Sequence, residues 1–213
     1  MKPFRTLTAI AAPIDIPKVD TGMIISARFT RRPRGGGHPD YSSVFLHDVR
    51  FDERGEPRAD FVLNMREYQG AKILVTGPDF GCGSSREGAA YAVLDYGIRA
   101  LVGSSFGEIF AGNCMRNGIL PVVLPPATVR HLMDQITVVP GALMTVDLEQ
   151  QSVTGPDGAH YGFSLDLTRK KRMLKGLDDV GAALEFRADI ETFEENYRDE
   201  MSWSFVFRPA RGG

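Results

Sequence analysis

The chain has 213 residues, of which 43% are hydrophobic and 24% charged, with a formal net charge of −2. That is enough chain to bury a substantial core in one good-sized domain, and the slight negative charge argues against a general nucleic-acid binder. Two cysteines, Cys82 and Cys114, are too few for a disulfide framework or a zinc pattern, and no stretch is long and apolar enough to span a membrane.

In chain order, the first apolar run is Leu7 to Ala12, after Lys2 and Arg5. It is too short for a signal peptide and is broken by Pro13 and Asp15, so it predicts a first β-strand. The cysteine usage leads to the expectation of a reducing, cytoplasmic setting. Asp20-Thr21-Gly22 is a turn-like tripeptide before Ile24-Ile25. Thr30 to Pro39 holds Arg31, Arg32, Arg34 and the run Gly35-Gly36-Gly37, a composition that predicts a mobile exposed loop. Such a loop is either a solvated linker or a substrate-facing lid. Residues 44–50 predict a strand, followed by a turn over 52–57.

The middle is more regular. Strands are predicted over 72–76, 98–103 and 119–124. Helices are predicted between them, from Ser84 to Tyr96, closed by Gly97, and from Ser104-Ser105 to Arg116. Strand, helix, strand, helix, strand implies a parallel sheet with right-handed crossovers. A short helix over 127–135 follows. Strands over 145–153 and 160–165 flank Gly155-Pro156-Asp157-Gly158, a hairpin signal. Two or three helical pieces over about 168–200 and an aromatic stretch from Trp203 to Phe207 complete the chain. The whole reads as a single domain, 1–213, with a loop at about 30–39 and a C-terminal helical segment and tail over about 168–213. The basic stretch Arg169-Lys170-Lys171-Arg172 reads as the solvated face of an amphipathic helix rather than a nucleic-acid patch.

Chemistry concentrates between Gly77 and Glu87. Gly77, Gly81 and Gly83 lie between a buried strand and a helix start, where glycine lets backbone N–H groups approach a ligand. Helix N-termini leave amides unpaired and favour anions. Ser84, Ser85 and Arg86 stand at the same place, and a guanidinium matches a carboxylate bidentately. Recognition of a small carboxylate or phosphate is one explanation. The other is a plain capping box, Ser84 with Glu87, which Ser105 and Glu108 repeat on the next helix. The glycine spacing is not that of a dinucleotide loop, a phosphate loop or a hydrolase nucleophile elbow.

Phe80-Gly81-Cys82-Gly83-Ser84-Ser85-Arg86-Glu87 resembles the signature of 3-isopropylmalate dehydratase small subunits and of the aconitase C-terminal domain. So do Val19-Asp20-Thr21, Ala27-Arg28-Phe29, Leu94 to Ala100, Ser104 to Phe110, Asn113 to Pro121 and Gly176 to Gly181, in the expected order. The resemblance implies an α/β fold, the aconitase-type swivelling β/β/α domain, with a central parallel sheet, flanking helices and a barrel-like additional portion. It implies a hydro-lyase of leucine biosynthesis that interconverts 2- and 3-isopropylmalate by dehydration and rehydration. It implies a large-subunit partner carrying a [4Fe-4S] cluster, whose open iron acts as Lewis acid on the leaving hydroxyl, and no cofactor or metal bound by this chain. It assigns Ser84 as the base, Ser85 and Arg86 as substrate-carboxylate ligands, and Gly83, Asp20 and Thr21 to the substrate site. The segment from Thr30 through Arg31, Arg32 and Arg34 follows the family's path into its substrate-selecting loop.

The chain departs from the family pattern at Gly22, where a second aspartate is usual, at Gly88, where histidine is common, and at Ser26, where proline is common. These departures keep two alternatives in view. One is a paralogous subunit for another hydroxy-di- or tricarboxylate, of methylmalate/citraconate or homoaconitate type. The other is a non-catalytic anion-binding module.

Overall fold

The computed structural model describes residues 1–31, 34 and 40–205. The chain forms two compact units, Met1–Gly176 and Leu177–Gly213.

The first unit is built on a seven-stranded sheet in the order β4-β3-β2-β1-β5-β6-β7. Its strands are β1 (Thr6–Ile14), β2 (Ile73–Thr76), β3 (Ala100–Gly103), β4 (Leu120–Val123), β5 (Leu143–Asp147), β6 (Ser152–Thr154) and β7 (His160–Gly162). The central strand β1 serves two partners. Its second half, Ala11 to Ile14, pairs parallel with β2, and its first half, Thr6 to Ile10, pairs antiparallel with β5. Beyond β2 the pairing with β3 and β4 stays parallel, and beyond β5 the pairing with β6 and β7 stays antiparallel. The sheet is therefore the expected parallel α/β core with a curled antiparallel extension, the barrel-like portion.

The parallel strands are short apolar runs because helices cover both faces. Side chains alternate across the sheet. Leu74 and Leu101 face one core, with Ile24, Ile25, Phe45, Phe80, Ala89 and Phe110. Ile73, Val75, Ala100 and Val102 face the other, with Val129, Leu132, Met133 and Ile136. The first core lies under the short helices α1 (Thr21–Ile24), α2 (Ala27–Thr30) and α3 (His47–Arg50) and the longer α4 (Glu87–Asp95) and α5 (Glu108–Arg116). The second lies under α6 (Pro126–Val138), which packs on β1, β2 and β3.

Three local expectations are corrected. Residues 44–50 are not a strand. Val44 ends a 3-10 turn, Leu46 has φ +51°, and α3 follows. A left-handed residue breaks the extended run, and the buried Val44, Phe45 and Leu46 plug the core instead of pairing. The predicted strand over 145–153 is two strands, β5 and β6, joined by a turn at Gln151 with φ +51°. The helices after β2 and β3 have their N-caps at Arg86 and Gly107, two residues later than the capping boxes predict. In α7 (Leu167–Lys175), Asp166 caps the N-terminus and Gly176 the C-terminus. Met173 is buried in the sheet core, whereas Leu167 is exposed.

The second unit consists of α8 (Asp179–Leu184), α9 (Arg187–Glu200) and a 3-10 turn over Ser202–Phe205. Asp178 caps α8 by accepting from Gly181 N. Phe193 and Tyr197 stack on one another along α9, ring centroids 5.4 Å apart. The end of the aromatic stretch, Val206 and Phe207, lies outside the described residues.

Candidate functional site

Three loops leave the carboxyl ends of neighbouring parallel strands: residues 15–20 after β1, 77–86 after β2 and 104–107 after β3. This is where ligands sit in open α/β sheets. The loops continue the sheet's order beyond the strands, through single parallel bridges from Asp20 to Cys82 and from Phe80 to Phe106. Gly81 N donates to Val19 O (2.7 Å), Thr21 N to Cys82 O (3.0 Å) and Gly107 N to Phe80 O (3.0 Å).

Gly81 is required at the centre of this weave. It has φ +77°, and a Cβ there would lie 2.1 Å from the Phe110 ring. Both the dihedral and the space exclude a side chain.

The fate of Ser84 separates the two explanations of its motif. The N-cap of α4 is Arg86, with extended dihedrals and no side-chain capping bond. Ser84 and Ser85 lie before the helix in non-helical, exposed backbone. What fixes them is Thr21, almost fully buried, whose Oγ1 donates to Ser84 O at 2.8 Å. The capping box is therefore not formed, and the Ser84 hydroxyl has no hydrogen-bond partner among the described residues. The same correction applies to Ser105. The N-cap of α5 is Gly107, without a side-chain bond. The Ser105 hydroxyl instead accepts from Asp79 N (2.8 Å) and donates to Asp79 Oδ1 (2.7 Å). It ties the loop after β3 to the loop after β2.

Asp20 caps α1, accepting from Met23 N at 2.8 Å. Arg86 is half-buried, and among the described residues its guanidinium has no hydrogen bond or ion pair. It lies beside Gly22, where a Cβ would be 3.1 Å from Arg86 Nη1. Gly83, with φ +87°, faces Asp20 Cβ. Ser84, Ser85, Arg86, Gly83, Asp20 and Thr21 thus all belong to one cluster at the sheet edge.

A cleft of about 210 Å³ opens at this cluster, lined by Gly81, Gly83, Ser84, Gly107, Glu108, Ile109 and Phe110. The first turn of α5 was not singled out as part of the site by sequence. Its signal was present in the second Ser-x-x-Glu unit. Successive parallel strands place their following loops side by side, which sets Glu108 and Ile109 next to Ser84. Ile109 is 53% exposed there.

The selecting-loop candidates are distributed differently. Thr30 ends α2, its Oγ1 donating to Ala27 O and its methyl group facing Gly88. Arg31 is exposed, and Arg32 lies outside the described residues. Arg34 is not presented to the cluster. Its Nε and Nη2 donate to the two oxygens of Asp95 at 2.9 and 2.6 Å, and its guanidinium lies over the Tyr91 ring. Burial opposes ionisation of Asp95, but Arg34 and the Tyr41 N–H outweigh it and hold the carboxyl below its usual pKa. Asp95 is the last residue of α4, about 12 Å along the helix axis from its first. An extended bidentate partner at that end explains why this arginine is held away from Ser84.

The cysteines offer no cluster site. Cys114 is fully buried, and burial pushes its thiol pKa up, opposite to what a thiolate ligand needs. Cys82 contacts Lys18 O through its sulfur. An iron–sulfur cluster takes three or four such ligands, so this chain's residues do not fit one.

The aconitase C-terminal domain model matches residues 1–127, and a LeuD_N model matches residues 130–166. The 3-isopropylmalate dehydratase small subunits of Parvibaculum lavamentivorans and Dinoroseobacter shibae are 46% and 45% identical to this chain. Each alignment covers 95% of the chain and 100% of the relative. The crystal structure of 3-isopropylmalate dehydratase from Methanocaldococcus jannaschii has the same fold, with a TM-score of 0.60 at 23% identity. That superposition covers 89% of this chain and 99% of the other.

Proposed function

This chain belongs to the family of 3-isopropylmalate dehydratase small subunits, and from that premise we propose how it contributes to the interconversion of 2- and 3-isopropylmalate. It supplies a serine base and a carboxylate clamp to a site completed by a large subunit. The observation that carries this reading is a pair of groups at the sheet edge without partners among the described residues, the exposed Ser84 hydroxyl and the Arg86 guanidinium.

Ser84 Oγ takes the proton from the carbon next to a substrate carboxylate. The electron pair of that C–H bond forms the double bond as hydroxide leaves the neighbouring carbon, and water adds back in the opposite sense. A serine hydroxyl is a very weak acid, so its alkoxide needs nearby positive potential. Arg86 and the N-terminal ends of α4 and α5 supply it from this chain. Arg86, with Ser85, holds a carboxylate of the substrate. Thr21 and Asp20 act one step back, Thr21 by clamping Ser84 O and Asp20 by capping α1.

The cleft, about 210 Å³, is below the roughly 300–1,000 Å³ of a complete ligand pocket, which supports a site shared with a second chain. The iron–sulfur cluster is assigned to that large subunit, and no step here is routed through it. No helix among the described residues is long and apolar enough to cross a membrane. The two free cysteines agree with a reducing compartment, and the cytoplasm is the proposed location.

The departure at Gly22 favours a second reading of the substrate, another hydroxy-di- or tricarboxylate. One experiment addresses both. The chain is co-expressed with a candidate large subunit, and the purified complex is assayed anaerobically with isopropylmalate, methylmalate and homoaconitate-type substrates. A stable complex with highest kcat/KM on isopropylmalate is expected. Preference for another substrate would replace the first reading by the second, and failure to pair with any large subunit would overturn both.

A further inference from the structure

We propose that the first turn of α5, carrying Glu108 and Ile109, is a docking surface for the large subunit, and that the large subunit meets it with an apolar recess beside a lysine or arginine. This rests on the reading of the cleft as half of a site that the large subunit completes.

The cleft has two walls. One is the loop after β2, with Gly81, Gly83 and Ser84, and the other is the start of α5, from Gly107 to Phe110. Gly107 brings the walls together, since a Cβ there would lie 2.2 Å from Gly81 O. Phe110 packs inward against Phe80, ring centroids 5.8 Å apart, whereas Glu108 and Ile109 are exposed.

A single exposed isoleucine is ordinary on a protein surface. Ile109 differs in its place. It shares a cleft of about 210 Å³ with Ser84. A chain that closes the site over Ser84 therefore also covers Ile109 and takes its side chain, 53% exposed here, out of water.

Glu108 is the charged member of the cleft lining. Among the described residues its carboxylate has no hydrogen bond or ion pair. In the free chain, water solvates it and the N-terminus of α5 favours it. Closure changes that balance. A substrate with two carboxylates enters beside it while water leaves, and the repulsion strengthens as the dielectric falls. A cation on the covering chain removes the conflict. The same carboxylate argues against a second copy as the occupant, because a two-fold contact centred here would set Glu108 against Glu108.

The test measures the dissociation constant of the complex with the large subunit under anaerobic conditions. It compares the wild type with Ile109→Ser, Glu108→Gln, Glu108→Lys and Val138→Ser. Val138, 80% exposed at the end of α6, controls for the loss of any exposed apolar side chain. The altered side chains are exposed, so the Tm of the isolated chain should change little. Ile109→Ser is expected to raise Kd roughly thirtyfold, the size of a buried apolar anchor. Glu108→Lys should raise it about tenfold or more. Glu108→Gln should raise it less and should make it less sensitive to salt than in the wild type. Val138→Ser should leave it unchanged. Wild-type affinity in both Ile109→Ser and Glu108→Lys overturns the proposal, as does an equal loss in Val138→Ser. Tighter binding by Glu108→Lys overturns the cationic partner. Self-association of the isolated chain that Ile109→Ser abolishes, with an unchanged Kd for the large subunit, overturns the proposal in favour of a second copy. A wild-type chain that binds no large subunit would instead remove the reading of a shared site, and this surface with it.

Discussion

The segments after β2 and β3 share a pattern, Ser84-Ser85-Arg86-Glu87 in one and Ser105-Phe106-Gly107-Glu108 in the other, yet their serines end in opposite circumstances. Ser105 is consumed by the fold, bonded twice to Asp79. Ser84 is held by its carbonyl, and among the described residues its exposed hydroxyl has no partner. Loop length makes the difference. Residues 77–83 separate β2 from Ser84, long enough to arch outward over the sheet edge. Only Ser104 separates β3 from Ser105, which keeps that side chain beneath the arch and within reach of Asp79. A local motif that reads as helix capping becomes a tie in one place and an exposed hydroxyl in the other.

The largest expected contrast is between alanine substitutions at the two serines. Ser84→Ala should lower kcat of the assembled enzyme by roughly 10²–10⁴-fold, the usual range for a lost general base, with Tm unchanged. Near-normal turnover would end its assignment as base. The arch itself is tested by Gly81→Ala. Its left-handed dihedral and contact with the Phe110 ring predict destabilisation by about 3 kcal/mol or more in denaturant unfolding. A mild effect there would mean the loops are not locked as described. Ser105→Ala should behave oppositely to Ser84→Ala, losing about 1–2 kcal/mol of stability while kcat in the complex stays within about twofold.

The smallest effect concerns Gly88, which follows Glu87 in α4 as Ile109 follows Glu108 in α5. A Cβ on Gly88 would make ordinary contacts, 3.5 Å to Thr30 Cγ2 and 3.9 Å to Ile25 and Tyr41. Close packing within the chain therefore does not explain the glycine. Gly88→Ala should raise thermal stability by up to about 1 kcal/mol. A loss of stability would show that the first turn of α4 is tighter than these distances indicate.

Much of the architecture was legible in the sequence because it is local. Short apolar runs at Ile73, Ala100 and Leu120, separated by helical stretches and closed by Gly97 and Gly118, specify parallel strands and crossovers whatever surrounds them. The cluster at Gly83, Ser84, Ser85 and Arg86 was legible through its resemblance to a family. The misread parts share one cause. Val44-Phe45-Leu46 has the composition of a strand, but it joins neither edge of the sheet and its side chains fill the core as a plug. Arg34 has the composition of a solvated loop residue but finds Asp95 and Tyr91, more than fifty positions away.

By itself, then, the sequence determined the α/β class, the order of the elements and the segment bearing the chemistry, since periodicity, turn residues and motif spacing act over a few positions. The tertiary structure alone decided which serine is presented and which is tied. It also decided which arginine is paired and which is left open beside Gly22. Those outcomes depend on what lies within about 3 Å of a side chain, the range of a hydrogen bond, and such neighbours come from distant parts of the chain.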